Sequence, residues 1–341
     1  MIDRGKILII RFSAMGDVAM TAPVIKEFYR HYPQEELLVV SRSAFKPFYD
    51  GIPNLQFLSF EPKGKHKGFL GIIKLFFELR TNKIKKVADL HSNLRSRILC
   101  LLFFLTGIKT VSLDKGRSEK KQLTRKNNKV LIPLKLTVSR YAEVFEKLGF
   151  PFELVNKIFP VHTQKPGNEQ WIGVSPFAQH IQKVYPLHKM EKVLLGLAQK
   201  GFKLFIFGGT VEEAAIAEEW EAKHLSIKSL VRRMTLREEL DFIPKLDIML
   251  SMDSSGMHLA SLKNVPVISI WGATHPYAGF LGYGQSVNDT IQLDLYCRPC
   301  SVYGNVPCYR GDFACMNNLH EQDVINKVID KLRNHETAIV S

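Results

Sequence analysis

The sequence predicts an α/β protein made of two doubly wound domains in tandem. Along residues 1–150, apolar strand-like runs alternate with amphipathic stretches of helical period, which is typical of a parallel sheet with crossover helices. The alternation stops in a segment with scattered Pro and Gly residues and then begins again. A chain of 341 residues is long enough for two domains of about 100–200 residues each.

The first series of elements begins at the start of the chain. Short apolar runs predict strands at Lys6–Phe12, Leu37–Ser41, Leu55–Phe60, Lys85–Leu90 and Lys109–Leu113. Stretches with a period of about 3.6 residues predict helices at Gly16–Arg30, Phe69–Leu79, Asn93–Leu105 and Arg140–Leu148. A basic loop is expected over Lys115–Lys129. Together these elements define a first domain, residues 1–150.

The second series follows a segment that lacks periodicity. Because Pro and Gly interrupt residues 151–170, that segment is predicted to be a linker. The predicted strands are then Trp171–Ser175, Phe202–Phe207, Asp247–Ser251 and Pro266–Ile270, and the predicted helices are Lys189–Lys200, Val211–Lys223, Leu236–Phe242 and one beginning at Gly256. These elements define a second domain, residues 171–320. A helix over Glu321–Leu332 opens a C-terminal helix and tail, residues 321–341.

The charge of the chain is unevenly distributed. The chain has 47 Lys and Arg against 33 Asp and Glu, a net charge of +14, but residues 1–165 carry +16 and residues 166–341 carry −2. Residues 61–130 alone hold 18 basic and 5 acidic side chains. Such a field is either a solvated face or an attraction for an anionic partner, namely nucleic acid, a phospholipid surface or a phosphorylated acceptor.

The apolar segments are too short for export or membrane insertion. The N-terminus has no apolar signal region, and the longest apolar run, Ile98–Leu105, is far below the roughly 20 residues that span a bilayer. We therefore expect a soluble, cytoplasmic protein that could visit a membrane surface.

Four cysteines lie close together near the end of the second series. Cys297, Cys300, Cys308 and Cys315 have the spacing Cys-x2-Cys-x7-Cys-x6-Cys. In a cytoplasmic protein this clustering favours a metal or reduced thiols over disulfides. The four residues are therefore a tentative ligand set for a structural zinc or iron ion, with free thiols as the alternative.

The first motif that could support chemistry joins the first strand to the first helix. It reads Arg11-Phe-Ser13-Ala-Met-Gly16-Asp17, in which Gly16 permits a tight turn. The helix dipole favours an anion at Asp17, which could accept a proton from a sugar hydroxyl or simply support the helix start. No Gly-x-Gly-x-x-Gly pattern is present here, which disfavours a nicotinamide oxidoreductase.

Three further motifs follow predicted strands of the second domain. Lys183 lies in the loop after Ser175 and could neutralise a phosphate. Asp253 follows a strand, and the backbone N–H groups of residues 254–257 could hold a pyrophosphate or form an ordinary helix cap. The segment 208–213, Gly-Gly-Thr-Val-Glu-Glu, offers a carboxylate that could bind ribose hydroxyls or cap its helix.

Taken in order, these motifs closely resemble glycosyltransferase family nine, the ADP-heptose:lipopolysaccharide heptosyltransferases. The resemblance rests on RFSAMGD, DLHSNLRSR, QKVYP, FGG-x-x-E, MDSSGMHLASLKNVPVISIWGATHP and the terminal CRPC cluster. It implies a GT-B type of fold, in which two doubly wound Rossmann-like domains face a central cleft. The acceptor would bind the N-terminal domain and the nucleotide-sugar the C-terminal domain.

The resemblance also implies an activity. The enzyme would be an inverting glycosyltransferase that moves heptose or a related sugar from an ADP-sugar to a lipopolysaccharide inner-core or similar lipid-linked saccharide. It would use an Asp general base and need neither a catalytic metal nor another cofactor.

Individual residues match the family's motif positions. Asp17 matches the general base, Lys183 the lysine that holds the diphosphate, and Asp253 the acidic residue that reads the donor sugar. Glu212 is the closer match to the ribose-binding carboxylate, with Glu213 one residue away. The donor-binding set is then Ser13, Gly16, Ser175, Lys183, Glu212, Asp253, Ser254, Ser255, Gly256, Met257 and His258, and the acceptor-binding set is Arg95, Arg97 and Arg140.

Two rival functions remain open from the sequence. A glycosyltransferase that uses another nucleotide-sugar for a different surface glycan would carry the same motifs. A nucleic-acid-binding protein would explain the basic half, but no aromatic and basic ribonucleoprotein signature accompanies the charge. The expected partners are an ADP-heptose-like donor, an anionic lipid-linked saccharide and the cytoplasmic membrane surface, with no nucleic acid.

Overall fold

The computed structural model describes residues 5–160, 165–167 and 169–340, without the side chains of residues 335–340. It confirms the α/β class, because the described strands form two sheets in which every pairing is parallel. Each sheet is built from strands joined by crossover helices, as the alternating pattern predicts.

The first sheet has five strands in the order β3-β2-β1-β4-β5. The strands are β1 (Lys6–Ile10), β2 (Glu36–Ser41), β3 (Leu55–Ser59), β4 (Ile84–Asp89) and β5 (Lys109–Ser112). The helices along this part of the chain are α1 (Met15–Ala19), α2 (Thr21–His31), α3 (Gly68–Arg80), α4 (Leu94–Leu105), α5 (Arg117–Thr124) and α6 (Thr137–Lys147), with a 3-10 helix at Ser43–Tyr49. Central β1 pairs on one side with β2 and on the other with β4, where Ile10 is opposite Asp89.

The second sheet has six strands in the order β11-β10-β9-β6-β7-β8. The strands are β6 (Trp171–Ser175), β7 (Lys203–Ile206), β8 (Ile227–Ser229), β9 (Ile248–Met252), β10 (Val267–Ile270) and β11 (Thr290–Ile291). The helices are α7 (Leu187–Ala198), α8 (Val211–Lys223), α9 (Leu236–Phe242), α10 (Ser255–Leu262), α11 (Ala314–Asn317) and α12 (Glu321–Val340), with 3-10 helices at Ile181–Lys183, Ile243–Lys245, Pro276–Ala278 and Val287–Asp289.

Each sheet has its own apolar core. In the first, side chains on one face of β1 and β2 pack against α3 and α4. The rings of Phe76 in α3 and Phe103 in α4 meet edge-on at a centroid distance of 5.0 Å. In the second, β6, β7, β9 and β10 pack against α7, α8 and α12. Both cores are built from the strand and helix faces that the periodicity marks as apolar.

The structure differs from the predicted elements in a few places. The helix predicted over Gly16–Arg30 is two helices, α1 and α2, which meet at Met20. The expected basic loop at Lys115–Lys129 is wrong over its first part, because α5 occupies Arg117–Thr124 and buries Lys120 and Leu123. Strands β8 and β11 were not predicted, since they are only three and two residues long.

The described residues form two compact units that interleave in sequence. One unit comprises the described residues of Met1–Arg117 and Lys135–Val155, and the other those of Ser118–Leu134 and Asn156–Ser341. The chain therefore passes between the units three times. The last passage falls inside the predicted linker, residues 151–170, of which 161–164 and 168 lie outside the described residues. The predicted domain limits at 150, 170 and 320 stay a prediction.

Candidate active site

The motif around Asp17 lies at the topological switch point of the first sheet. From β1 the chain runs outward to β3 and returns on the other side of β1 as β4, so the loops after β1 and β4 diverge at this edge. In doubly wound sheets the crevice outside the carboxyl ends of such strands binds ligands. Ser13, Gly16 and Asp17 follow β1 directly, and Asp89 ends β4.

The carboxylate of Asp17 is held by Arg11. The guanidinium of Arg11 is buried, and it forms an ion pair with Asp17 Oδ2 through Nη2 and donates from Nη1 to the carbonyl oxygen of Leu90 at 2.7 Å. The Nε of Arg11 has no hydrogen-bond partner among the described residues. Burial is the largest influence and opposes the charge of Arg11, but Asp17 together with Tyr141 and Tyr49 outweighs it and raises the pKa of Arg11, so the guanidinium stays charged. The side chain of Asp17 itself is 27% exposed, so it is open to a ligand.

His91 shapes the same edge from the β4 side. The carboxylate of Asp89 accepts hydrogen bonds from the backbone N–H groups of His91 and Ser92 at 3.0 and 2.8 Å, which fixes the loop. The ring of His91 then accepts from the N–H of Phe12 at 3.1 Å through Nδ1. Burial, together with the charge of Arg11, lowers the pKa of His91 to about 3. The ring is therefore neutral at physiological pH, and it joins the loops that follow β1 and β4.

The structure does not bring the three predicted acceptor arginines into one environment. Arg95 and Arg97 are exposed in the first turn of α4, and Nη2 of Arg97 lies 3.4 Å from Ser92 Oγ. Arg140 is only 5% exposed in α6, and its Nε donates to the carbonyl oxygen of Lys135 at 3.3 Å. The acceptor roles of all three stay a prediction.

The remaining donor motifs meet at the switch point of the second sheet. From β6 the chain runs outward through β7 to β8 and returns on the other side of β6 as β9. Ser175 ends β6, and Asp253 directly follows β9. The Gly208–Thr210 turn follows β7 at the same edge. The sequence places these motifs far apart, and the parallel sheet brings their strand ends together.

Lys183 and Asp253 form an ion pair at this edge. The Nζ atom of Lys183 lies 2.9 Å from Oδ2 of Asp253, and the side chains are 16% and 7% exposed. Gly304, at a φ of +76°, lies against the stem of the lysine, since a Cβ there would be 2.4 Å from Lys183 Cγ. The lysine head is therefore held in place by its carboxylate partner and by the loop over its stem.

The N-terminus of α10 directly follows this ion pair in the chain, because Ser254 is next to Asp253. Ser254 is the N-cap residue, yet its side chain makes no cap hydrogen bond, and its buried Oγ has no partner among the described residues. The first backbone N–H groups of a helix also lack intrahelical acceptors, which favours an anion at this end. Ser255 begins the helix, and the side chains of Met257 and His258 are buried. The donor-binding roles of residues 254–258 stay a prediction.

Gly256 has a packing role that its sequence motif does not show. A Cβ placed on Gly256 would lie 2.3 Å from Oγ and 2.4 Å from Cβ of Ser175. Real Cβ atoms do not approach other atoms this closely, so glycine lets α10 pack directly on the end of β6.

Glu212 and Glu213 are distinguished by the structure. Oε2 of Glu213 accepts from the backbone N–H groups of Gly209 and Thr210 at 2.7 and 3.0 Å, while the Thr210 hydroxyl accepts from the N–H of Glu213, forming a capping box. Glu212 is exposed, and hydrogen bonds from its own backbone N–H and from the Thr210 side chain lower its pKa. Of the two carboxylates, Glu212 is the more exposed, and its ribose-binding role stays a prediction.

The structure does not support the tentative metal set of Cys297, Cys300, Cys308 and Cys315. All four are free cysteines, and within the described part of the chain no three His, Cys, Asp or Glu side chains are grouped so as to hold a metal ion. Burial raises the pKa of Cys315 to about 11, so it is a thiol at neutral pH.

A buried arginine pins this loop instead. The guanidinium of Arg298 donates to the carbonyl oxygens of Gly272, Leu293 and Thr274, and to Gln292 Oε1. Four charge-assisted hydrogen bonds hold the loop to the segments after β10 and β11. The sequence shows Arg298 only as one residue inside the CRPC cluster, and so its role was missed.

Known proteins resemble this chain in sequence and in fold. Residues 72–307 match the family model described as glycosyltransferase family 9 (heptosyltransferase). The chain belongs to glycosyltransferase family 9. This glycosyltransferase is 23% identical to lipopolysaccharide heptosyltransferase 1 of Campylobacter coli, over 95% of this chain and 98% of the relative.

Solved structures agree at the level of the fold. A family 9 glycosyltransferase from Veillonella parvula superposes with a TM-score of 0.73 at 16% identity, covering 98% of this chain and 99% of that one. The E. coli heptosyltransferase WaaC with ADP gives 0.69 at 17% identity, covering 96% and 99%. The predicted family, the GT-B type of fold and the prediction of a glycosyltransferase enzyme are confirmed.

Proposed function

We propose that this glycosyltransferase moves heptose or a related sugar from an ADP-sugar to a lipopolysaccharide inner-core or similar lipid-linked saccharide. One observation carries the proposal: each sheet presents one half of this chemistry at its switch point. The first presents a partly exposed carboxylate, Asp17, and the second presents a cation, Lys183, beside the start of α10. The similarity to lipopolysaccharide heptosyltransferases supports the choice of sugar.

In the proposed reaction Asp17 is the general base. The acceptor hydroxyl gives its proton to the Asp17 carboxylate as its oxygen attacks the anomeric carbon of the donor sugar. The bond from that carbon to the phosphate oxygen breaks, and its electron pair leaves with the nucleoside diphosphate, so the configuration at the anomeric carbon inverts. Arg11 contributes by fixing the orientation of the carboxylate through their ion pair.

The leaving group is stabilised in the second unit. Negative charge grows on the diphosphate as the bond breaks, and Lys183 together with the first N–H groups of α10 would receive it. The unpartnered hydroxyl of Ser254 supplies one more donor. Asp253 would bind hydroxyls of the sugar while it holds Lys183. The proposal assigns no step to a metal or a cofactor.

The acceptor is proposed to be anionic and membrane-bound. Residues 1–165 carry +16, and Arg95 and Arg97 lie exposed on α4, which suits phosphate or carboxylate groups on the saccharide. A transferase with such an acceptor would work as a peripheral protein at the inner face of the cytoplasmic membrane. Within the described residues, no helix is both long enough and apolar enough to cross a bilayer.

The proposal is tested by the Asp17→Asn variant in a transfer assay with ADP-heptose and a saccharide acceptor. We expect kcat to fall by at least about 100-fold, while calorimetry shows ADP affinity close to that of the parent. Asp241→Asn, at an exposed position of α9, is the matched control and should retain full activity. Near-parental transfer by Asp17→Asn would remove Asp17 as the base.

A donor panel tests the identity of the sugar nucleotide. A ligand that binds only the folded protein raises the melting temperature, and at equal ligand concentration the shift is larger for the tighter binder. ADP-sugars should therefore give a larger shift than GDP-, UDP- or CDP-sugars. A larger shift with one of the other three would favour a transferase for a different surface glycan. Lys183→Met should abolish most of the ADP shift, and an unchanged shift would refute its diphosphate role.

A further inference from the structure

Helices α3 and α4 carry a cluster of large apolar side chains on their outer surfaces. Six of them, each more than half exposed, form what we call the apolar face: Phe69, Leu70, Phe77, Leu101, Phe104 and Leu105. Single exposed apolar residues are ordinary, but a contiguous cluster marks an interaction site.

The outer surfaces of the two helices lie side by side. Both helices lie on one side of the first sheet, where Leu75 and Phe76 of α3 and Leu99 and Phe103 of α4 enter a common core. The helices also contact each other through Phe76 and Phe103. Since the inner sides of both helices face the sheet, their outer sides form one continuous surface. Leu70 and Phe77 are seven residues apart on α3, and Leu101 and Leu105 four apart on α4, which places each pair on one helical face.

Exposed cations lie within and beside the segments that carry the apolar face. Lys63 and Lys67 precede α3, Lys74 lies between Leu70 and Phe77, and Lys109 begins the strand after α4. The one acidic residue of α3, Glu78, is engaged by Lys65 and His66. The rim of the apolar face is therefore strongly cationic.

We propose that the apolar face docks on an anionic lipid bilayer, with its Phe and Leu side chains inserted below the headgroups and its lysines against lipid phosphates. Apolar insertion combined with basic flanks is the physical basis of binding at a membrane interface. A second copy of the chain fits poorly, because a symmetric pairing of this patch would bring the cationic flanks of both copies together. The proposed function explains why such docking would be useful, since a lipid-linked acceptor lies at a membrane. In that respect alone this proposal rests on the proposed function.

Co-sedimentation of the full chain with vesicles tests this surface. The parent should bind vesicles of phosphatidylethanolamine and phosphatidylglycerol, and bind weakly to phosphatidylcholine alone or at high salt. The double variant Leu70→Gln/Leu105→Gln should bind at least about tenfold more weakly. Both positions are exposed, so folding should be unaffected, and an unchanged melting temperature will verify it. Leu225→Gln/Val287→Gln, at exposed apolar positions of the other unit, is the matched control and should bind like the parent.

The outcomes separate this proposal from the proposed function. The Leu70→Gln/Leu105→Gln variant should keep parental transfer to a lipid-free saccharide acceptor, and Asp17→Asn should keep parental vesicle binding. Vesicle binding by a parent that transfers no sugar would support the apolar face and refute the function alone. Equal vesicle binding by the double variant and the parent would overturn the proposal. The proposal would also be overturned if the parent were a dimer without vesicle affinity and the double variant were a monomer.

Discussion

Glu212 and Glu213 are adjacent carboxylates with different surroundings. Glu213 is used within the protein, where it closes the capping box with Thr210, whereas Glu212 is exposed at the start of α8. A position-by-position match to a family motif does not separate them, because it reads spacing alone. The structure separates them, because Oε2 of Glu213 accepts two backbone N–H groups that tie this carboxylate to its cap, whereas Glu212 is the more exposed of the two.

The paired variants Glu212→Ala and Glu213→Ala test this difference. Glu213→Ala should lower the free energy of unfolding by about 1 kcal/mol, because a cap is lost. Glu212→Ala should weaken ADP binding by about tenfold, because hydrogen bonds from ribose to a charged group are lost. Denaturant unfolding and calorimetry measure the two effects. The assignment fails if Glu213→Ala costs the ADP affinity and Glu212→Ala does not.

His91 makes the stability of the first unit dependent on pH. Its pKa in the folded protein is about 3, below the value of 6.5 expected when the chain is unfolded, because burial disfavours the charged ring. The unfolded state therefore binds more protons in this window, so the free energy of unfolding falls as the pH drops from 6.5 toward 3.

Replacing His91 should remove this part of the acid sensitivity. The His91→Gln variant should be less stable than the parent at neutral pH and approach it, or exceed it, as the pH falls through that window. Urea unfolding at several pH values measures the difference. His275, whose pKa burial lowers to about 4, titrates in both proteins and cancels. A constant difference between parent and variant would contradict the role given to His91.

Only part of the candidate site can be predicted from the sequence. Asp17 and Asp253 follow strand ends and Lys183 lies in the loop after β6, all in recognisable motifs, so the sequence alone singles them out as candidates. Arg11 lies in the motif of Asp17 and His91 in DLHSNLRSR, but their importance comes from burial and from contacts 79 residues apart in the chain. No local pattern encodes such a pairing.

At the level of elements, α10 depends on its contact with β6. Gly256 is a poor helix former in isolation, and alanine would raise intrinsic helix propensity. The structure reverses that expectation, because a Cβ would lie 2.3 Å from Ser175 Oγ. The helix N-terminus and the strand end therefore act as one packed unit at the proposed diphosphate site.

Gly256→Ala should be destabilised by about 1–3 kcal/mol through overpacking. It should also weaken ADP binding, because the start of α10 is displaced. Adding Ser175→Gly removes the obstructing atoms and should restore most of the lost stability. Chemical denaturation of the two single variants and the double variant measures this coupling. Additive losses in the double variant would show that the two residues do not compete for space.

The predictability of elements follows their length and the source of their stability. Strands such as β6 and helices such as α8 and α9 begin and end where their periodicity indicates. Helix α5 was missed because its sequence is strongly polar, and it is stabilised by tertiary contacts, such as Lys120 over the ring of Phe280. Strand β11, with two residues, is too short to have a period.

At the scale of the whole molecule, the charge separates along the chain. The half that holds Asp17 carries +16 and the half that holds Lys183 carries −2. The second half therefore binds its proposed diphosphate with local devices, one lysine and a helix N-terminus. The first half produces a field that reaches beyond direct contact and attracts anionic molecules from solution.

Ionic strength should affect the two substrates differently. Because salt screens long-range fields over about 8 Å at physiological concentration, the KM for a phosphorylated, lipid-free acceptor should rise several-fold between low and physiological salt. The KM for the ADP-sugar should change less. Steady-state kinetics with each substrate varied in turn measures both values. An equal change in the two would assign the charge to a role other than acceptor capture.

The interleaving of the two units governs the order in which the protein is completed during synthesis. Helix α5 emerges before α6, yet it belongs with the second sheet, whose first strand begins only at Trp171. The first unit cannot finish folding until residue 155 has been synthesised. Helix α5 can pack only later, when the rest of the second unit has been made. With three passages between the units, a single proteolytic cut at any one of them leaves the units covalently joined.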